Sequence, residues 1–262
     1  MARSLALIAD SVHLLTDAGA LGLAFFASWF AVQPSPRKMS YGFHRVEILA
    51  ALVNGVALVT LSIFIVKEAL VRLSSPLAVR SPWMMAVGLA GLLFNLSIAL
   101  YIGRFARGNL NVRSAFYHVI ADALGSAGVI AAGLIIWKTG WIYADPLVSI
   151  VIAGLIVWGA WLILRDVGEV LLEAVPRRLD LSRLESRLLA LAGVEEICDL
   201  HVWTISSGKE ALSAHLGVKD EADTDLLLKE VNQVLSQEFG IHHTTIQLEK
   251  AHEKPHKPHE KF

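Results

Sequence analysis

Long apolar runs broken by short charged stretches fill the first two thirds of the chain. Five of them, at roughly 5 to 32, 46 to 70, 82 to 103, 114 to 137 and 146 to 165, are each as long as the bilayer-spanning helix they predict, about 20 residues. The first run follows Met1 closely, as a secretion signal would, but it continues past His13 and Asp17 to about Val32 without a convincing cleavage site, so it reads as a retained helix. Pro176 ends the last run, and the pattern becomes that of a small soluble domain. Asp180 caps a helix with Leu181, Leu184, Leu188 and Leu191 on one side, stopped at Gly193. Ile197 to Ile205 and Glu210 to Val218 alternate as strands do, across S-S-G-K, a hairpin signal. A second amphipathic helix carries Leu227, Val231, Val234 and Leu235 and ends at Gly240, and His243 to Glu249 forms a last strand. Helix, strand, strand, helix, strand predicts a small α+β sandwich with its helices on one sheet face. A domain this small is marginal alone and gains from dimerisation. The tail after Lys250 is charged, contains proline and is expected to be disordered. The chain thus divides into a helical transmembrane bundle (1–175), an α+β domain (176–250) and a tail (251–262).

Composition agrees with a membrane protein: 55% of the residues are hydrophobic and the mean hydropathy is +0.54. Net charge is −1, which gives no case for a nucleic-acid partner. The single cysteine, Cys198, excludes an intramolecular disulfide and a cysteine-rich zinc site, leaving imidazole and carboxylate as metal ligands. Charge matters mainly by position. Arg37, Lys38 and Arg45 flank the first two runs, and Arg104, Arg107 and Arg113 lie between the third and fourth, which assigns both loops to the cytoplasm. Arg177 and Arg178 place the C-terminal domain there too. Five spans with a cytoplasmic C-terminus put the N-terminus outside, and the expectation is a sixth helix preceding the first run; a genuine five-helix chain is the other reading.

Two stretches carry ionisable groups into these apolar runs. A-D-S-V-H-L-L-T-D-A places His13 and Asp17 four apart, on one helix face, and F-Y-H-V-I-A-D-A repeats the spacing with His118 and Asp122. One such pair alone reads equally as an interhelical hydrogen bond or as two metal ligands. Its duplication favours metal, because an ionisable group in a spanning helix costs a few kcal/mol or more. Two imidazoles and two carboxylates suit a tetrahedral divalent ion, zinc first. Two aspartates neutralise a bound M²⁺, whereas the emptied carboxylates favour proton uptake, so metal and protons compete for one site. Asp10, three residues before His13, either orients its imidazole or faces water at the membrane edge. Asn54 and Asn95 lie within spans and read as packing amides. In the soluble domain His201, His215 and His243 fall on neighbouring strands and form a candidate cytoplasmic metal site, with Glu249 or Asp199 as further ligands. The tail's His252, Glu253 and His256 match the H-E-x-x-H expression of zinc proteases, but Pro255 denies them the helical turn that chemistry needs.

With these residues in view, the chain resembles the cation diffusion facilitator family of metal transporters, its bacterial zinc branch in particular. The matching stretches are L-I-A-D-S-V-H-L-L-T-D-A, Y-G-F-H-R-V-E-I-L-A-A-L-V-N-G, F-Y-H-V-I-A-D-A-L-G-S, Y-A-D-P-L-V-S and L-H-V-W-T-I-S-S-G. The resemblance implies six transmembrane helices, of which this chain shows five. It implies a ferredoxin-like, metallochaperone-like cytoplasmic domain, a homodimer in the bacterial inner membrane, and export of Zn²⁺, with Cd²⁺ or Co²⁺ as further substrates, in exchange for protons. It maps the intramembrane site onto His13, Asp17, His118 and Asp122, and a more variable cytoplasmic one onto His201, His215 and His243. Two other readings are a transport-inactive metal-sensing or partner subunit, and an intramembrane metal-dependent hydrolase. The second needs an open metal position and a general base that the four-ligand pattern does not offer.

Overall fold

A computed structural model describes residues 4–31, 33–34, 37–103, 110–206 and 208–250. Five long helices come first: α1 (Leu5–Ala31), α2 (Val46–Ser74), α3 (Ser81–Gly103), α4 (Leu110–Thr139) and α5 (Ala144–Leu171). Then follow α6 (Leu181–Leu189), β1 (Val194–Ser206), β2 (Lys209–Val218), α7 (Thr224–Glu238) and β3 (His243–Lys250). The element types and order are those the pattern predicts. The span count differs: among the described residues four helices, Val46–Ser74, Ser81–Tyr101, Val119–Thr139 and Ala144–Leu171, are long and apolar enough to cross a membrane. The fifth, α1, is continuous over 27 residues and carries Asp10, His13, Thr16 and Asp17 in its first half. The tail's His252, His256 and His259 lie outside the described residues.

Residues 4–23 and 52–164 form one compact unit, with an apolar core around Leu58, Met84, Val129 and Ile152, buried polar groups beside it and large apolar side chains outside. Phe64, Phe94, Leu100, Val151, Trp158 and Trp161 are exposed, whereas Asp10, Asn95, Asp122, Ser126 and Asp145 are buried. In water such a surface would aggregate; against lipid it is the expected arrangement. Helices α3 and α4 run antiparallel and pack through glycines. A Cβ at Gly88 would meet Ile130 at 3.1 Å, one at Gly91 would meet Ser126 Oγ at 3.2 Å, and one at Gly133 would meet Met85 at 2.7 Å. Small residues at these points let two membrane helices approach closely.

The first turn of α1 is held from α5. Amide groups at a helix start have no partner within the helix, and here each is satisfied. Asp145, fully buried, accepts from Leu5 N at 2.7 Å, from Ala6 N at 3.1 Å and from Ser4 Oγ at 2.5 Å. Ser4 is the cap, its Oγ accepting from Leu7 N at 3.1 Å. Arg72 Nη1 lies 3.6 Å from Asp145 Oδ2, and Arg72 Nε bonds Glu68 at 3.0 Å. The buried charge is thereby matched by two amides, a hydroxyl and a guanidinium.

Residues 24–51 and 165–250 belong to the second unit. Its sheet has the order β1-β2-β3, with β1 and β2 antiparallel and β2 and β3 parallel. Leu184 and Leu188 of α6 and Leu227, Val231 and Leu235 of α7 share one core with Val202, Leu212, Leu216 and Val218. Both helices therefore cover the same sheet face, as expected. Asp180 and Asp223 cap the two helices by accepting from backbone amides of their first turns, and Gly208 takes the left-handed conformation (φ +72°) the hairpin requires. Arg178 closes the domain: it donates to Glu210 at 2.8 Å and to the carbonyl of Phe239 at 2.9 Å.

Replacing Asp145 by Ala removes the carboxylate shared by Arg72 and the amides of Leu5 and Ala6. The expected cost is about 3 kcal/mol, the usual penalty for breaking a buried charge pair. Denaturant or thermal unfolding of the detergent-solubilised chain measures it, and a stability equal to the parent's would remove the clasp from this account.

Candidate metal centre

Inside the first unit, α1 and α4 bring three of the four expected intramembrane ligands together. His13 Nε2 lies 3.6 Å from Asp17 Oδ2 and 3.4 Å from Asp122 Oδ1. One ligand atom from each of the three falls within 4.8 Å of the others, and among the described residues this is the one such group of three or more. The spacing has chemical meaning. Zinc–nitrogen and zinc–oxygen bonds of about 2.0–2.1 Å put the corners of a tetrahedron about 3.3 Å apart, close to the two contacts of His13. The donors are already near the positions an ion would give them. His118 precedes Asp122 by one turn of α4; its side chain lies outside the described residues.

Local sequence explains the convergence. The four-residue spacing stacks His13 over Asp17, the Asp145 clasp fixes the start of α1, and a second tie lies between the two. Asp10, 5% exposed, accepts a hydrogen bond from Ser126 Oγ of α4 at 3.1 Å, one turn from Asp122. The expectation that Asp10 faces water is corrected by this burial, and the hydrogen bond it makes is to Ser126 and not to the His13 ring. That bond ties α1 to α4 one turn before His13.

The three cytoplasmic histidines are not brought to one point. His215 Nδ1 lies 3.1 Å from Glu249 Oε1, and His201 Nε2 lies 2.9 Å from Asp199 Oδ1. His243 pairs in register with Ala211, four residues along β2 from His215, a separation of about 13 Å at the usual rise of a strand; its ring meets that of Tyr41 at 5.8 Å. Two local features set these positions. β3 runs parallel to β2, which sets the positions of His243 and His215 in that register, and β1 has an irregularity between Cys198 and His201, where Asp199 takes φ 52°. The Cys198 thiol is pushed up by burial and by Glu196, Glu249 and Asp199 around it, so in the metal-free chain it remains a protonated thiol at neutral pH.

Sequence reading passed over a cavity of about 560 Å³ in the second unit, lined by Tyr41, His44, Lys209, Glu210, His242 and His243 among others. Lys209 Nζ lies 3.0 Å from His44 Nε2, an ammonium that disfavours a metal cation at that ring. The signal available beforehand was Y-G-F-H-R, a polar aromatic stretch between two spans.

A lipid-facing helix bundle enclosing a carboxylate–imidazole cluster, joined to a soluble α+β domain, defines a membrane protein that handles divalent cations. Residues 1–172 match the family model described as the cation efflux transmembrane domain, and residues 176–251 match that of the cation efflux protein, cytoplasmic domain. The chain is 39% identical over 252 residues to the metal cation efflux system protein CzcD of Cupriavidus metallidurans, covering 96% of this chain and 80% of the relative. It is 41% identical over 251 residues to zinc transporter ZitB of Escherichia coli, covering 95% of this chain and 80% of that one. It is 37% identical over 254 residues to the cadmium, cobalt and zinc/H(+)-K(+) antiporter of Bacillus subtilis, covering 95% and 81%. The chain belongs to the cation diffusion facilitator family of metal cation efflux transporters. It is an integral membrane transporter and not an enzyme, and its C-terminal domain is cytoplasmic.

Because His215 and His243 sit apart on the sheet, any effects of their removal on zinc binding are expected to add. The loss in His215→Ala/His243→Ala should equal the sum of the single losses within about 0.5 kcal/mol. Calorimetric zinc titration of the full chain checks this, and a strongly non-additive double variant would restore a shared site.

Proposed function

We propose that this chain exports Zn²⁺ from the cytoplasm by alternating access, exchanging it for protons at a four-ligand site of His13, Asp17, His118 and Asp122. The observation that carries the reading is the convergence of His13, Asp17 and Asp122 at ligand-edge distances inside an otherwise apolar bundle. A nitrogen and oxygen donor set of this geometry favours zinc, and it accepts cadmium or cobalt. The name of the Bacillus relative, which covers those three metals and protons, supports the same substrate range.

The chemistry follows from charge. With a divalent ion bound, two carboxylates and two neutral imidazoles form a site of no net charge, which the low-dielectric bundle tolerates. Once the ion leaves, two carboxylates and the His13 ring remain within a few ångströms of one another, and proton uptake is the available route back to neutrality. Protons taken up on one side and displaced by metal on the other give antiport. Asp145 and Asp10 take no part in that exchange; they hold α1. The cytoplasmic domain serves as the homodimer contact and carries the histidine–carboxylate pairs His215/Glu249 and His201/Asp199 as secondary metal ligands.

In proteoliposomes, zinc entry is expected to accelerate when the lumen is more acidic than the medium and to slow when a protonophore collapses the gradient. Asp122→Ala, inserted at parental levels, is expected to reduce flux to background. Parental flux in that variant, or flux indifferent to the gradient, would overturn the reading.

A further inference from the structure

Most buried polar groups of the bundle have visible partners. Ser62 donates to the carbonyl of Leu58, Ser149 to that of Asp145, and Ser126 to Asp10. Asn95 differs. It is 3% exposed, and its Nδ2 has no hydrogen-bond partner among the described residues. Buried polar groups without partners are rare and costly, and each asks for an explanation.

The packing of α3 on α4 supplies one. Gly88 lies against Ile130 and Val129, and Gly91 against Ser126 and the Asp10 carboxylate. These contacts fix an antiparallel register, in which one turn forward along α3 is one turn back along α4. From Gly91 that turn leads to Asn95; from Ser126 it leads to Asp122. On α1 the next turn after Asp10 carries His13. The bundle is therefore layered: Gly91, Ser126 and Asp10 make one layer, closed by its own hydrogen bond, and Asn95, Asp122 and His13 make the next, where the metal ligands are.

Building on the proposed transport site, we infer that Asn95 is its positioning residue from a third helix: when the cation is bound, the Asn95 amide donates to the Asp122 carboxylate and holds one oxygen towards the ion. The residue type suits the task. An amide is a donor without charge, so it orients a carboxylate while leaving the neutral balance of two aspartates and one divalent cation intact. Groups that hold ligating side chains in this way change metal affinity about 10–100-fold when lost. The two roles open to Asn95 give opposite signatures. A packing amide stabilises the metal-free protein through its hydrogen bond, whereas an amide that finds its partner only in the loaded site leaves the metal-free protein no better off, and an isosteric apolar side chain there is neutral or stabilising.

The test uses the full chain in detergent micelles, with calorimetric zinc titration and thermal unfolding in a chelator. The zinc-binding component missing from Asp122→Ala defines the intramembrane site; if that variant loses none, the site reading itself fails, whatever Asn95 does. Given that component, Asn95→Leu is expected to weaken it about tenfold or more while the metal-free melting temperature stays equal or rises. Asn95→Ser, a shorter donor, is expected to fall between Leu and the parent, and decides by the same readouts if Asn95→Leu does not insert. Parental affinity in these variants, with or without a lower metal-free melting temperature, overturns the inference.

Discussion

The fold depends on how charge is kept in a medium that does not solvate it. A carboxylate within a spanning helix costs several kcal/mol unless something nearby replaces water, and this bundle buries Asp10, Asp122 and Asp145, with Asp17 close by. Each has a different replacement. Asp145 takes two backbone amides, the Ser4 hydroxyl and the Arg72 guanidinium. Asp10 takes Ser126. Asp17 and Asp122 lie on either side of a single imidazole, a partner able to cancel at most one of their charges. The first two arrangements are complete within the protein and fix helices in place. The third is the site proposed above to exchange metal for protons, so the same physical demand accounts for two structural ties and the proposed exchange site.

Much of this was legible from local spacing. The His-x-x-x-Asp repeat could be read because both partners lie on one helix, where a four-residue period fixes which side chains share a face, and its repetition implied convergence. The cap at Asp180, the S-S-G-K hairpin and the alternating strands were legible for the same reason. What could not be read is set by pairing across distance. Nothing local joins Ser4 to Asp145, 141 positions apart, or Asp10 to Ser126, 116 apart; Y-A-D-P could be quoted as a family stretch but not assigned a partner. The spacing of the cytoplasmic histidines could not be read because strand alternation gives the face of a residue and not its register. Asn95 read as a packing amide because its layer is defined only by the glycines of α3 against α4.

The ties on α1 are graded along its length, and that grading bears on how the site can open. At its first turn α1 is held through its own backbone, since the Asp145 carboxylate binds the amides of Leu5 and Ala6 directly. That end cannot slide without breaking several bonds together. One and a half turns on, a single hydrogen bond from Ser126 to Asp10 joins α1 to α4, worth about 1–3 kcal/mol for a donor to a charged group. Further along, His13 Nε2 lies 3.4 Å from Asp122 Oδ1 of α4. The bonds that hold α1 through its own backbone are thus at its first turn. A swing of α1 about the Asp145 end leaves those bonds intact. A translation of the helix would break all of them. Carboxylate chemistry thus supplies both the fixed end of α1 and two of the ligands proposed for the transport site.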